Sequence, residues 1–428
     1  MSWAARFRVR QYLKGSLWFF PLVGAVAGPF LALLTKQADD SITVSTFWRY
    51  EPSTVGSVLT TIVGAAVGLT GFVITVTVLA IQMATSTFSG RYMRLWVQDG
   101  LLKATLAALA GTLTFSYSLL RQVGAKPVPE VGVTAAGFLI LLSLALFLIF
   151  FGRFILRLRP AAVAKRVSDV ARETVTTVTE AAQKHAAPAG TAVAGPVQIV
   201  RSERAGSVQA VHVRGLVTWA SKRDCVLELR ATVGDPLTAG QPLIAVHGEA
   251  VLPATAGRQL RGMVALGLER SADQDVGFAI RVMVDIAIRA LSPAINDPTT
   301  GVQVLDHLAN VLQLLGSMPL RAPLTFPDQE GTPRLLMPAP SWEDYLTLAV
   351  TEIREYGATA IQVTRRLRAM LDELEKSVRP EHRSAVEAQL ALLDAAVATG
   401  FAGSADNDQA RVPDRQGIGG PAERVLLS

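Results

Sequence analysis

A chain of 428 residues that is 50% hydrophobic, 18% charged and contains one cysteine, Cys225, excludes a disulfide framework and any paired-cysteine zinc or redox site. Lys and Arg outnumber Asp and Glu by 41 to 35, but the cationic excess clusters beside apolar runs, where it sets topology, so no nucleic-acid partner is expected. The composition is also split: residues up to about 155 are strongly apolar, and the rest has the mixed usage of a folded soluble domain.

The opening MSWAARFRVRQYLKGSLWFF sets basic residues before apolar ones, as a signal peptide does. The apolar run at 17–34 is too long for a signal core and no small-x-small cleavage site closes it, so it reads as a retained membrane helix. Three more runs follow at 54–84, 101–120 and 131–151, each near or above the roughly 18 to 20 residues that cross hydrocarbon as a helix. Residues 1–159 are therefore expected to form a four-helix transmembrane domain with the lipid bilayer as its partner.

Four crossings leave both ends on one side. Arg6, Arg8, Arg10 and Lys14 precede the first run, Arg91, Arg94 and Lys103 separate the second from the third, and Arg153, Arg157, Arg159, Lys165 and Arg166 follow the fourth. The opposite loops hold only Lys36, Arg49, Arg121 and Lys126. The positive-inside bias then predicts a multi-pass membrane protein with both termini cytoplasmic. Trp18, Trp48, Tyr50, Tyr92 and Trp96 lie near run ends, as interfacial aromatics do.

The second run would make a helix of roughly 46 Å, longer than the hydrocarbon core. Its small and polar residues, Ser57, Thr61, Gly64, Gly68, Gly71, Thr75, Gln82, Thr85 and Ser89, recur mostly three or four apart and share a face. One reading is a packing seam, with Gly64 and Gly68 as a GxxxG pair. The other is a polar pathway in a homo-oligomer, lined by Thr61, Thr75, Gln82 and Thr85 from several subunits. The centres of the runs hold no ionisable residue, which argues against a proton-coupled transporter.

Residues 160–196 read as a connector helix and a Pro- and Gly-containing linker, and 197–252 as a small β-domain. Within it Gly234, Asp235, Leu237, Gly240, Pro242 and Leu243 resemble the GD turn of biotinyl- and lipoyl-like domains, which implies a barrel-sandwich shape. The modified hairpin lysine of those domains is missing, since Lys222 does not match it, so no cofactor is expected.

Residues 253–399 read as a helical cytoplasmic domain. A helix over 274–291 has Arg281, Asp285 and Arg289 four apart on one stripe and is stopped by Ser292 and Pro293. Asp297 before Pro298 is an N-cap and first-turn pair that launches a second helix. Further helices are expected near 341–377 and 380–398, and 400–428 as a disordered tail. The fold class is thus an α-helical membrane protein with a cytoplasmic α+β region.

QDVGFAIRVMVDIAIRALSPAINDPTT, with the upstream ITVTVLAIQMATSTFSGRYMR, resembles an uncharacterised bacterial family of predicted integral membrane proteins classed as a domain of unknown function. The likeness covers roughly residues 10–375 and implies the four-helix block and the soluble region, with no activity to carry over. Caps and an Arg281–Asp285–Arg289 ion ladder account for the signature's polar residues. The alternative is that Gln274, Asp275, Arg281, Asp285, Arg289, Ser292, Asn296 and Asp297 converge on a small polar ligand or ion. No catalytic motif is present and the histidines show no metal spacing. The reading therefore leans toward a non-enzymatic oligomeric membrane protein whose cytoplasmic domain senses or gates, with a membrane-anchored enzyme or ligand-binding module at residues 275–297 as the alternative.

Overall fold

The computed structural model describes residues 1–41, 50–87, 99–123, 130–157, 159–183, 197–248, 252–320 and 322–416. Trp48, Arg49, Arg91, Tyr92, Arg94, Trp96, Ser89 and Lys126 fall outside these. Two compact units result: Gln11–Arg159, and Met1–Arg10 together with Pro160–Ser428.

In the first unit the apolar runs form α2 (Phe19–Ser41), α3 (Pro52–Thr87), α4 (Gly100–Leu120) and α5 (Glu130–Arg157), following α1 (Trp3–Gly15). Three stretches are long and apolar enough to cross a membrane: Phe19–Gln37, Thr54–Met83 and Glu130–Phe154. The fourth expected span, α4, falls short of them in hydropathy. Its position explains why: α4 packs on α2, α3 and α5 and buries Thr105, Thr112 and Ser116 beside Leu109, Phe115 and Leu119. A helix enclosed by other helices meets little lipid, so hydroxyl side chains bonded to its own carbonyls are tolerated. Thr105 and Thr112 donate to the carbonyls of Leu101 and Ala108, and Thr112 Oγ1 lies 3.1 Å from Ser143 Oγ.

Lys103 does not sit in a loop. It occupies the first turn of α4, buried, donating to the carbonyl of Lys14 and lying 5.2 Å from the centre of the Phe20 ring.

The second unit resumes after Arg159 with α6 (Pro160–Gln183), whose Val163, Ala164, Val167, Ala171 and Val175 are buried at three- and four-residue spacing. This is a core helix, not a bare connector, since it packs on both α9 (Val276–Ala290) and α10 (Pro298–Gly316). The strands are β1 (Val197–Arg201), β2 (Gly206–Val211), β3 (Val226–Leu229), β4 (Pro236–Leu237), β5 (Pro242–His247), β6 (Val264–Gly267), β7 (Leu324–Pro327) and β8 (Pro333–Met337). They form a five-stranded sheet in the order β1-β5-β3-β8-β7 and a three-stranded one, β4-β2-β6.

The expected barrel-sandwich is therefore not what the strands build. The sheet crosses the expected boundary at 252, because β8 pairs in parallel with β3 after the helical hairpin has returned the chain to the same edge. Helices α7 (Val213–Ser221) and α8 (Ala256–Arg261) lie between strands in sequence, and Leu216 and Leu260 join Leu227, Leu243, Ile244 and Leu335 in one core.

Beyond β8 come α11 (Trp342–Gly357), α12 (Ile361–Ser377), α13 (Arg383–Gly400) and α14 (Asn407–Arg411). Residues 401–416, expected as part of a disordered tail, pack on α12 instead. Arg365 Nε donates to the Val412 carbonyl at 3.0 Å and its guanidinium lies 3.7 Å from Asp414, both residues being buried.

The expected boundary of the membrane domain also differs at its start. Trp3 stacks on His212 with ring centres 4.9 Å apart, and the Ala4 amide donates to the Gly262 carbonyl at 2.8 Å. Ala4 is buried with Ala210 and Ala265, small residues that let α1 approach β2 and β6.

Candidate functional site

The signature residues occupy three stations along α9. At its start Asp275 is the N-cap, accepting from the Phe278 amide at 2.8 Å, and Arg270 grips the same carboxylate with Nε at 2.8 Å and Nη2 at 3.0 Å. Burial pushes the Asp275 carboxyl up from its ordinary value, against the pull of Arg270 and the Phe278 amide. Gln274 pairs with the main chain of Val211 through both ends of its amide, at 2.9 and 3.3 Å. Gly234, at φ +104°, brings the GD turn against this cluster: a Cβ there would lie 2.5 Å from Asp275 Oδ2 and 2.8 Å from Arg270. Burial also raises the Tyr345 hydroxyl, and the Asp275 charge adds to the effect.

In the middle, Arg281 donates to Asp285 at 2.8 Å and takes both carboxylate oxygens of Glu352 on α11, one at 2.8 Å. The Glu352 hydrogen bond is the main reason that the Arg281 guanidinium is held above its usual value.

At the end, Ser292 Oγ donates to the Arg289 carbonyl at 2.7 Å, and Asn296 takes the left-handed conformation at φ +50°. Asp297 then caps α10, accepting from the Thr300 amide and, at 2.6 Å, from its hydroxyl. A cleft of ≈ 280 Å³ lies here, lined by Asn296, Tyr356 and Gln362.

Fifteen helical residues separate the first station from the last, roughly 22 Å of rise. Asp275 and Asn296 therefore do not share a pocket, and caps or ion pairs engage the residues between them. Among the described residues no cluster of three or more His, Cys, Asp or Glu side chains is placed to hold a metal.

The second candidate is the polar face of α3. Ser57, Thr61, Gly64, Gly68, Gly71, Thr75 and Gln82 are all exposed on the single chain, and nothing lies within 4 Å of a Cβ built on Gly64, Gly68 or Gly71. Thr61 and Thr75 donate to the carbonyls of Ser57 and Gly71, so each hydroxyl satisfies its proton within the helix. Thr85 lies in α3, but its side chain is outside the described residues. The internal seam is elsewhere: a Cβ on Gly24 of α2 would collide with the Ala107 carbonyl of α4, and one on Gly28 would lie 2.6 Å from the Gly111 carbonyl.

Residues 14–373 match the model of a family described as Predicted membrane protein (DUF2254). The chain belongs to this family. An uncharacterized protein of Mycobacterium tuberculosis is 30% identical over 427 residues, spanning 93% of this chain and 79% of its own length. An uncharacterized protein of Mycobacterium bovis matches with the same identity and coverage. No solved structure matches.

For this DUF2254 chain, sequence reasoning missed Arg270, Glu352 and Tyr345 as partners of the signature. Only Arg270 left a local trace, as a cation five residues before a capping aspartate. Gly24 and Gly28 are themselves four apart, so the spacing rule applied to α3 finds the seam of α2 as well.

Proposed function

We propose that this DUF2254 protein is a non-enzymatic membrane protein that self-associates through α3. On this reading the polar face of α3 lines a passage for an ion or small solute, and the soluble unit senses or gates. One observation carries it: the small and polar face of a helix in an apolar bundle is turned outward while the bundle is sealed by other glycines. A lipid-facing surface gains nothing from glycine, threonine and glutamine, whereas a helix–helix seam or a water-filled lining does.

On this reading the chain enters and leaves the membrane block on one side and crosses an even number of times, which the grouping of Met1–Arg10 with residues beyond Pro160 in one compact unit supports. With three apolar spans already counted, α4 supplies the fourth, and the basic residues after α5 favour the cytoplasm for that side. The protein then lies in the bacterial cytoplasmic membrane with both termini inside.

Full-length protein in planar bilayers tests the passage. A conductance reduced by Thr75→Leu and by Gln82→Leu is the expected result. Folded oligomer without conductance overturns the passage, and a strict monomer in lipid nanodiscs overturns the self-association as well.

A further inference from the structure

Beside the amino-terminal contacts with β2 and β6 lies a cleft of ≈ 240 Å³ into which Arg8, Arg204, Arg258 and Arg261 converge, with Glu203 as its one lining carboxylate. Glu203 is mostly exposed and is engaged by Arg261 Nη2. Two guanidinium nitrogens here, Arg8 Nη1 and Arg261 Nε, are buried without an acceptor among the described residues. Arg258 makes no side-chain hydrogen bond or ion pair among the described residues.

We propose that this cleft binds a phosphate-bearing anion through Arg8, Arg258 and Arg261. Buried N–H groups without acceptors are costly, and an entering oxyanion satisfies them at the point where the cationic excess also needs an opposite charge. Four guanidinia against one carboxylate leave a surplus that a single carboxylate ligand does not neutralise, whereas a phosphate group offers several oxygens to forks approaching from different sides. The lining comes from the amino-terminal helix, the turn between β1 and β2, and α8, so a bound anion bridges segments distant in sequence. A soluble phosphate compound and a phospholipid headgroup present the same chemistry to these side chains.

The test titrates full-length protein in phosphatidylcholine nanodiscs with inorganic pyrophosphate at constant ionic strength, by calorimetry. In parallel, its melting is compared in phosphatidylcholine and in phosphatidylglycerol-containing nanodiscs. The expected result is saturable pyrophosphate binding or a phosphatidylglycerol-dependent rise in melting temperature, weakened about tenfold or more by Arg8→Gln and by Arg258→Gln. Pyrophosphate alone assigns a free solute, and phosphatidylglycerol alone assigns a headgroup. Arg258→Gln removes no side-chain hydrogen bond or ion pair among the described residues, so unchanged melting of that variant without ligand separates a lost site from a lost fold. No response of the wild-type protein to either probe overturns the proposal, as do variants that respond like wild type.

Discussion

Gly234 and Asp275 touch so closely that a Cβ on the first would stand 2.5 Å from a carboxylate oxygen of the second. The turn between two strands is thereby keyed to the cap of α9, and Arg270 closes the same contact from the other side. The β-rich and helical parts of the second unit share this junction.

Gly234→Ala is expected to lower stability by about 2–4 kcal/mol, since φ +104° disfavours any side chain and the added methyl meets a charged pair. Thermal melting of the full chain in detergent reads the loss. A change below about 0.5 kcal/mol would show that the junction yields easily.

Arg270→Leu leaves the buried Asp275 carboxylate without its cation. The expected cost at neutral pH is about 2–4 kcal/mol, toward the lower end of such losses because the Arg270 side chain is 40% exposed. Its pH dependence has a definite sign. The folded Asp275 carboxyl already sits above its ordinary value, so the folded state holds the proton more tightly. That contribution is fully present below the usual carboxylate range near pH 4 and is lost as pH rises through the folded value. Removing Arg270 raises the folded value further, so the variant should recover stability relative to wild type as pH falls from neutrality toward the usual carboxylate range. Parallel melting curves for the two proteins across that window would refute this.

Burial, with Arg6 adding, holds His212 below the usual imidazole value while Trp3 stacks on it. A depressed folded value means that the unfolded state binds more protons, so stability is present above about pH 6.5 and is lost as pH falls through the folded value. The protection factor of the Ala4 amide, which donates to Gly262, should fall on acidification from about pH 7.5 to 5.5, once the slower intrinsic exchange at low pH is divided out. His212→Phe should flatten that response; an unaltered profile in the variant assigns it to another group.

The two glycine pairs should separate cleanly. Gly64→Leu with Gly68→Leu meets open space on the single chain and should leave the melting of the monomer within about 0.5 kcal/mol of wild type while abolishing self-association. Gly28→Ala, which meets α4 backbone, should destabilise the bundle by about 1–3 kcal/mol. Sedimentation in detergent together with melting distinguishes them. Intact oligomers of the double variant would remove α3 as the association face.

The apolar runs and the Asp297–Pro298 helix start were legible because both are local: hydropathy and capping need only neighbours in sequence. What escaped depends on distant partners. The enclosure of α4, which relaxes its need for apolar side chains, requires knowing which helices surround it. Strands β7 and β8 join a sheet begun more than a hundred residues earlier, and their short runs show no affiliation with it. Asp275 and Asp285 were visible as polar residues, but Arg270 and Glu352 decide whether those positions bind a ligand or brace a helix.

The contact of Ala4 with Gly262 joins points separated by roughly 250 residues, with every apolar span between them. Translation therefore delivers the leading helix long before β2 and β6 exist to receive it. Trp3, Ala4 and Phe7 must wait undocked while the intervening apolar helices are made. Closure of this long loop marks the moment when the second unit is finished, which couples its folding to prior synthesis of the whole apolar block.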